Sequence, residues 1–478
     1  MRAFNIKFLL AIFLLLAITS ATMAQSIQQQ KTDSVFKQVK KQFNAQQADS
    51  LYALTGADLK KALIIEAFRN IANNQLFPLG AIKQSTLISF ENNKIATYKL
   101  VFSTGTVLQL LMSLDDEDKL QVFLFKPYKE PVGSKPALVA TTNPLKTVSD
   151  KKVDSVARIY IQKANTVGLS IGVFKDGKIT TYNYGETALG NGKLPTANTI
   201  FEIGSITKTF TSTILAYYVN EGKVKLNDPI TKYLPDSVAK NPELKDITLQ
   251  TLSNHTSGLP SLPDNISGPA TDSLNPYKYY TQKQLYAYLK TCHLKTKPGE
   301  VYSYSNMAVG LLGNILAHIS GKPYEQLVAE IITGPLAMSN TVQHLTPLLA
   351  QRFAPVYNDE GKPTPAWNFD VLAPCGALRS TVNNLLVYAK ANMTKNDTKL
   401  SKAFELTHKV TFSKDIKIGL GWHISTIDNV DYIFHNGGTY GSSSFLAFNT
   451  EKNIAIVILS NCGESTDKVG VGILTKLQ

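Results

Sequence analysis

Apolar and polar positions follow two different periods in the first third of the chain. Apolar residues recur at helical spacing over 33–48 and 55–73. Four stretches then alternate at strand spacing and are separated by turn-forming residues: 86–90, 95–103, 107–114 and 120–125. This order predicts a small α+β module over residues 25–130, in which four antiparallel strands follow two helices.

A second pattern begins after a Pro-, Gly- and Thr-containing stretch, which we predict to be a linker over residues 131–149. A helix over 150–164 and two strands around Asp176-Gly177 follow, whereas residues 200–400 are mostly helical patches and Pro-rich loops. Further strands come near the C-terminus: 431–435, 443–449 and 453–459. The pattern predicts an α+β domain over residues 150–478. Both of its ends build one antiparallel sheet flanked by helices, and a helical region is inserted between them.

The first 24 residues have the pattern of a signal peptide. Arg2 and Lys7 precede an apolar run over residues 8–18, which is too short to span a bilayer, and small residues follow up to Ala24. An uncleaved membrane anchor is the alternative. Because no later segment is apolar for long enough, we predict no membrane span after signal removal and a periplasmic or secreted location.

Composition narrows the functional classes. The chain has 478 residues, of which 44% are apolar and 18% are charged. This composition is typical of a soluble protein with a packed core. The net charge of +13 comes from scattered Lys and Arg without a basic-aromatic stripe, which argues against a nucleic-acid partner. Cys292, Cys375 and Cys462 have no metal-binding spacing, so we expect buried thiols and neither metal nor cofactor. HExxH, GxSxG, Walker A and CxxC patterns are absent, which leaves zinc-peptidase, α/β-hydrolase and nucleotide-hydrolase functions without support.

One of five Ser-x-x-Lys pairs stands in a context that favours catalysis. Gly204 allows a tight turn before Ser205, and the helix that follows carries an apolar stripe and ends at Gly222. A serine at a helix N-terminus lies near unpaired N–H groups, and Lys208 is on the same face one turn further on. We predict Ser205 as a nucleophile and Lys208 as a base. The alternative is that Ser205 only caps the helix, and the other four pairs are predicted to be exposed helix-end residues.

Tyr304 and Asn306 follow a turn at residues 298–300 and precede a helix that starts near Met307. In an extended segment these two side chains point the same way, so both can enter one cleft. A Tyr hydroxyl can relay a proton and an Asn amide can hold a carbonyl or orient a lysine, which predicts Tyr304 as catalytic and Asn306 as substrate-binding. The alternative is a plain helix entry with Asn306 as the cap.

The segment from His435 to Gly438 ends a predicted strand. His435 and Gly437 share a face, and the glycines allow a second backbone to approach, as an added substrate strand requires. We predict His435, Gly437 and Gly438 as substrate-binding, with the N–H groups of Gly438 and Ser205 as an oxyanion site. An ordinary turn is the alternative. His255 lies among Asn, Ser, Gly and Pro residues, which favours a hydrogen-bonded loop over a catalytic base.

These segments together resemble the serine β-lactamase and penicillin-binding-protein family, nearest its branch of class C β-lactamases, D-alanyl-D-alanine carboxypeptidases and esterases. The matching stretches are 201–211, 252–260, 298–306, 311–313, 376–381, 419–422 and 435–438. The resemblance implies a β-lactamase/transpeptidase-like fold and acylation of Ser205, with proton transfer shared by Lys208 and Tyr304. It also implies that Asn306 contacts both substrate and lysine. The order of elements in the first module is similar to that of NTF2-like or cystatin-like modules.

Two positions depart from the family pattern. His435 stands where typical β-lactamases have a Lys, and a mostly neutral imidazole attracts a substrate carboxylate less strongly. Cys375 stands where the family has a small residue beside the cleft. We therefore predict an exported serine hydrolase acting on a small-molecule or peptide substrate through a peptide, amide or ester bond, with peptidoglycan-derived peptides among its candidates. The alternative is a penicillin-binding or peptidoglycan-sensing protein without turnover.

Overall fold

The computed structural model describes residues 27–91, 93–128, 133–268 and 271–478. The chain divides into two compact units, Met1–Pro131 and Val132–Gln478. The predicted signal peptide lies outside the described residues. Among the helices of the described ranges, none is both long and apolar enough to cross a lipid bilayer.

The first unit is a four-stranded antiparallel sheet preceded by short helices. Its helices are α1 (residues 27–44), α2 (Ala48–Ala53), α3 (Ala57–Ala62) and α4 (Ile65–Ile71). Its strands are β1 (Ile82–Glu91), β2 (Ile95–Phe102), β3 (Val107–Leu114) and β4 (Leu120–Pro127), paired in chain order. The predicted helix over 55–73 is interrupted, because Leu63 and Ile64 adopt extended backbone conformations. The predicted strands are confirmed within a few residues, and the resemblance to an NTF2-like or cystatin-like module stays a prediction.

The second unit contains a seven-stranded antiparallel sheet built from both ends of its sequence. The long strands are β5 (Gly168–Lys175), β6 (Lys178–Gly185), β12 (His423–Ile427), β13 (Val430–Gly438), β14 (Ser443–Asn449) and β15 (Ile454–Ser460). The short strands are β7 (Phe201–Glu202), β8 (Val356–Tyr357), β9 (Pro363–Thr364), β10 (Arg379–Ser380) and β11 (Lys417–Ile418). The order in the large sheet is β11-β12-β13-β14-β15-β5-β6, which confirms the predicted topology.

Helices cover both faces of this sheet. The α-helices of the second unit within the described ranges are α5 (Val148–Ile161), α6 (Thr207–Asn220), α7 (Asp236–Ala239), α8 (Leu249–Ser253), α9 (Gln282–Leu289), α10 (Asn306–Ser320), α11 (Tyr324–Val328), α12 (Pro347–Ala350), α13 (Val382–Met393), α14 (Lys399–His408) and α15 (Asp467–Leu477), and only some of them contact the sheet. Helices α5 and α15 pack on one face, and α13 packs on the other. In β15, Ile456 faces α5 and α15 whereas Val457 faces the inserted helices, so a continuous apolar run satisfies both faces.

Helix α6 lies at the centre of the inserted region and is more deeply buried than an apolar stripe predicts. The stripe residues Phe210 and Ile214 are buried, but so are Thr209, Thr211 and Thr213. The hydroxyls of these threonines donate to carbonyl oxygens, which offsets the cost of burying them. The first turn of α6 therefore enters a largely water-free environment, and this is where the predicted nucleophile lies.

Candidate active site

A tight turn presents Ser205 at the start of α6. Residues Gly204–Ile206 form a single 3₁₀ turn, and Gly204 has a φ of +48°, in the left-handed region. A Cβ atom at Gly204 would lie 2.7 Å from the backbone nitrogen of Gly438. Glycine is therefore required both for the turn and for the close approach of strand β13. Ser205 itself is half-buried, whereas Gly204 and Ile206 on either side of it are buried.

Lys208 is the most unusual residue of the site, because a lysine with no exposed surface needs partners for its amine. Its Nζ atom donates to Ser205 Oγ at 2.8 Å, to Asn306 Oδ1 at 2.7 Å and to the Cys375 carbonyl oxygen at 2.7 Å. An ammonium group has three donors, and each has an acceptor here. The amine is thus fixed on the serine hydroxyl by two groups that come from distant parts of the chain.

Asn306 is the first residue of α10, but it does not cap that helix. The Ser305 hydroxyl accepts the Ala308 N–H at 2.9 Å and fills the capping role. The Asn306 amide is left to accept from Lys208 and to donate to Tyr277 Oη at 2.9 Å. The cap alternative considered for Asn306 is therefore wrong, and its side chain belongs to the lysine site.

Tyr304 lies beside the same amine. The centre of its ring is 4.8 Å from Lys208 Nζ, and its opposite side packs against the His255 ring at a centroid distance of 4.4 Å. The side chain is half-buried. Tyr304 and Asn306 thus both contact the Lys208 amine, which lies 2.8 Å from Ser205 Oγ.

Gly437 and Gly438 bring the end of β13 against the nucleophile turn. A Cβ atom at Gly437 would lie 2.2 Å from the Ile203 carbonyl oxygen and 2.9 Å from the Ser205 nitrogen. Strand β13 pairs with β12 only as far as Phe434, and the Thr439 N–H donates to Ser442 on the β14 side. Because peptide directions alternate along an antiparallel strand, the Gly438 N–H is directed away from β14, toward Gly204. Two backbone N–H groups, those of Ser205 and Gly438, can therefore face one developing negative charge.

His435 has a different environment from its glycine neighbours. Its side chain has no exposed surface, and its Nδ1–H donates to the Asn436 carbonyl at 2.5 Å. Its Nε2 atom has no hydrogen-bond partner within the described ranges. The imidazole of His435 is fully buried in this structure, and its contact with a substrate stays a prediction.

Three buried histidines lie behind the cleft. The rings of His423 and His435 are 5.1 Å apart, and the His423 Nε2 atom shares a hydrogen bond with Tyr302 Oη at 2.8 Å. Burial lowers the pKa of His423 to about 4, with the Lys208 charge acting in the same direction. Burial and neighbouring positive charge also hold the pKa values of His255 and His435 well below the usual range. Among the described residues, no group of three or more His, Cys, Asp or Glu is arranged to hold a metal.

The loop prediction for His255 is confirmed. This residue adopts a left-handed φ of 61°, and its Nδ1 atom accepts the Ser305 N–H at 3.1 Å. Its ring supports Tyr304 from behind. The ring therefore fixes the start of α10 and packs against Tyr304.

Cys375 contributes its backbone rather than its thiol. The side chain is buried, and burial raises the pKa of the thiol to about 11, although the Lys208 charge opposes this. The carbonyl oxygen is the third acceptor of Lys208. All three cysteines are buried and free, as predicted.

The pattern analysis did not identify an aromatic wall formed by Tyr277, Trp367 and Phe369. Tyr277 stacks on Phe369 at 4.5 Å and contacts Trp367 at 5.1 Å, and its hydroxyl holds the Asn306 amide. A Cβ atom at Gly376 would lie 3.1 Å from the Phe369 ring, beside the Gly204 backbone. Trp367 and Phe369 are half-buried. Each comes from an irregular segment, where no periodic pattern marks the side chains that converge.

Most of the second unit matches proteins of known family. The family described as beta-lactamase matches residues 153–475. A beta-lactamase of Pseudomonas fluorescens is 30% identical over 276 residues, which are 57% of this chain and 73% of that protein. The D-alanyl-D-alanine-carboxypeptidase/endopeptidase AmpH of Escherichia coli (strain K12) is 30% identical over 325 residues, 64% of this chain and 82% of that protein.

The fold leads to the same family. A solved class C beta-lactamase superposes with a TM-score of 0.62 and 26% identity, and the alignment covers 70% of this chain and 98% of that one. The predicted β-lactamase/transpeptidase-like fold and the predicted resemblance are both confirmed. The chain belongs to the beta-lactamase family and is a serine hydrolase of that family.

Proposed function

We propose that this protein is an exported hydrolase that forms an acyl-enzyme at Ser205 with a peptide, amide or ester substrate. The observation that supports this most strongly is the buried Lys208 amine, which lies 2.8 Å from the Ser205 hydroxyl and has two further acceptors. We also propose a signal peptide over residues 1–24, a first module over 25–130, a linker over 131–149 and the hydrolase domain over 150–478.

In the proposed reaction, Ser205 Oγ attacks the substrate carbonyl carbon. To accept the hydroxyl proton, the Lys208–Tyr304 pair must hold one proton fewer than an ammonium with a phenol. The pair then passes this proton to the leaving nitrogen or oxygen. The N–H groups of Ser205 and Gly438 stabilise the negative oxygen of the tetrahedral intermediate. A water molecule then attacks the acyl-enzyme, and the same pair moves its proton back to Ser205. Asn306 keeps the amine directed at the serine and binds the substrate carbonyl.

The substrate classes follow from the relatives and from residue 435. The relatives are beta-lactamases and a D-alanyl-D-alanine carboxypeptidase/endopeptidase, so β-lactams and D-alanyl peptides, including peptidoglycan-derived ones, are candidate substrates together with esters. The buried, neutral His435 supplies no positive charge for a substrate carboxylate. This favours peptidase or esterase activity over hydrolysis of anionic β-lactams.

The test is active-site labelling followed by turnover. A fluorophosphonate and a fluorescent penicillin are expected to label the wild type and to leave Ser205→Ala unlabelled. A panel of chromogenic esters, β-lactams and D-Ala-D-Ala peptides then identifies the class that is hydrolysed. Equal labelling of Ser205→Ala and wild type would refute the proposal.

A protein that is acylated but does not turn over is the second candidate, and the buried His435 supports it, because the site lacks the cation that typical β-lactamases have at this position. Pre-steady-state measurements separate the two candidates. One burst of product per molecule without later hydrolysis on every substrate would favour the sensing function. Sustained hydrolysis of any substrate would exclude it.

A further inference from the structure

Glu202 is a buried carboxylate three residues before Ser205 that the proposed reaction does not use. It lies in the two-residue strand β7 and is 3% exposed. Its Oε2 atom accepts the Thr439 hydroxyl at 2.5 Å, and its Oε1 atom accepts the Trp367 N–H at 2.6 Å. The Arg379 guanidinium is 4.0 Å from Oε1. Both carboxylate oxygens are thus bound to groups from distant parts of the second unit.

Such a group is costly to bury. Removing a carboxylate from water is unfavourable, and apolar replacements of a buried ion pair are often as stable or more stable. Burial raises the pKa of Glu202, while the Thr439 hydroxyl and Arg379 act in the opposite direction. A contribution to stability therefore explains the carboxylate at position 202 poorly. The position of its partner Thr439 suggests a different role.

Thr439 directly follows Gly438, whose N–H faces the nucleophile turn. The Glu202–Thr439 hydrogen bond connects the strand before Ser205 to the residue after Gly438. A second hydrogen bond connects β14 to the residue before Gly204: the Ser444 hydroxyl donates to the Ile203 carbonyl oxygen at 2.8 Å. Ser444 is the β14 partner of Gly437. The two hydrogen bonds hold the end of β13 against the Gly204–Ser205 backbone, where glycines leave no spare space.

We propose that Glu202 is a positioning residue for the oxyanion site: through Thr439 it sets the position of the Gly438 N–H relative to the Ser205 N–H. This inference rests on the proposed function. The same carboxylate binds the backbone of Trp367, so it also fixes one end of the aromatic wall beside the cleft. Neither interaction brings Glu202 into contact with substrate, and its effect is expected on the transition state rather than on substrate binding.

The experiment compares Glu202→Gln, Thr439→Val and Thr439→Ser with wild type. Thr439→Val keeps the volume and removes the hydroxyl, whereas Thr439→Ser keeps the hydroxyl. Glu325→Gln is the control, because Glu325 also accepts backbone N–H groups, from Gln343 and His344, and also interacts electrostatically with Arg379, but does not hydrogen-bond to Thr439. Three quantities are measured for each variant: kcat and KM on an ester, the affinity for phenylboronic acid, and the melting temperature.

Thr439→Val and Glu202→Gln are expected to lower kcat by about 10- to 100-fold with KM changed less than about threefold, since a small misplacement of an oxyanion donor has effects of this size. Phenylboronic acid becomes tetrahedral when its boron accepts the Ser205 oxygen, so its affinity is expected to fall in parallel with kcat. Thr439→Ser is expected to restore both. Glu325→Gln is expected to change the melting temperature only.

Unchanged kcat and boronate affinity in Thr439→Val would overturn the inference, as would a Glu202→Gln variant that loses stability but keeps both values. Where no ester is turned over, the rate of fluorophosphonate labelling replaces kcat, because this reaction also places a negative oxygen in the oxyanion site. Failure of the proposed function gives a different result, namely labelling of Ser205→Ala at the wild-type rate.

Discussion

The Ser-x-x-Lys pattern occurs both in α1 and at the entrance to α6. The lysine is exposed at the first position and fully buried at the second. Ser34 and Lys37 lie in α1 of the first unit, and both are exposed. Ser205 lies in the 3₁₀ turn that leads into α6, and Lys208 lies in the first turn of α6 and has no exposed surface. The local geometry is alike, because residues three apart on a helix are neighbours in both cases. A Ser-x-x-Lys pair is therefore only a potential site, and the rest of the fold decides whether it is one.

What differs is the source of the lysine's other partners. Lys208 donates to Asn306, which is 98 residues away, and to the Cys375 carbonyl, which is 167 residues away. These acceptors hold the amine on Ser205 while the surrounding helices exclude water. Lys37 is solvated, so water competes for its amine, and no side chain of the described ranges holds that amine on Ser34. The comparison predicts that function depends on long-range contacts rather than on the helix.

The largest expected effect comes from the serine itself. Ser205→Ala is expected to lower kcat/KM on the best substrate by on the order of 10⁶-fold, as in serine hydrolases that lose their nucleophile. Ser34→Ala is the matched control and is expected to keep wild-type activity, since its hydroxyl is solvated in α1. Steady-state kinetics on the substrate found in the panel is the measurement. Comparable losses in both variants would show that the two pairs do not differ as described.

The lysine gives the next effect. Lys208→Met keeps the length of the side chain and removes the amine, so acylation is expected to slow by about 10² to 10⁴-fold, the range of general acid–base catalysis. Lys37→Met is expected to have no effect on the rate. Stopped-flow measurement of acylation, rather than of turnover, isolates the step in which Ser205 loses its proton. An acylation rate within about threefold of wild type for Lys208→Met would contradict the comparison.

Much of this site was predictable because its residues lie in a few short sequence segments. Ser205 and Lys208 follow Gly204, Tyr304 and Asn306 share a face, and Gly437-Gly438 end a strand. The sheet was predictable for a related reason, since β5, β14 and β15 are short, mostly apolar runs bounded by turn-forming residues. In each of these cases the local sequence already contains the physical requirement.

The rest depends on tertiary packing, which leaves no local pattern. His435 was expected to contact substrate because it shares a face with Gly437, but packing against His423 buries it. No sequence pattern distinguishes Glu202 from other strand residues, because its partners Thr439 and Trp367 are distant in sequence. The interruption of the helix predicted over 55–73 is of the same kind, since nothing in its periodicity marks Leu63 as extended.

Histidine protonation at low pH is expected to lower the folding stability of the second unit only, because all seven histidines lie in that unit. The folded pKa of His423 is about 4 against an ordinary 6.5, so the unfolded chain takes up the proton first as the pH falls. The stability due to neutral His423 is complete above pH 6.5 and is lost between pH 6.5 and about 4, by on the order of 3 kcal/mol. Burial of His255 and His435 acts in the same direction.

Urea unfolding at pH 7.5 and 4.5 measures this loss. Both tryptophans, Trp367 and Trp422, lie in the second unit, so their fluorescence reports on that unit alone. His423→Gln keeps a hydrogen-bonding group toward Tyr302 but does not titrate, and a smaller loss of stability on acidification is expected. A pH dependence equal to that of wild type would show that His423 does not remain neutral in the fold.

The smallest expected effect concerns the aromatic wall of Tyr277, Trp367 and Phe369, which is connected to the Lys208 site through the Tyr277–Asn306 hydrogen bond. Phe369 is half-buried, stacks on Tyr277 and lies over Gly376 beside the nucleophile turn. Phe369→Ala is expected to lower kcat/KM for a phenylacetyl ester by about 10-fold, the size of one lost aromatic contact, and to leave the acetyl ester unchanged. Phe90→Ala, which removes a half-buried ring from the first unit, is the control and is expected to affect neither ester. Equal losses on both esters would mean that Phe369 supports the turn rather than the substrate, and the wall would then belong to the structural partners of Lys208.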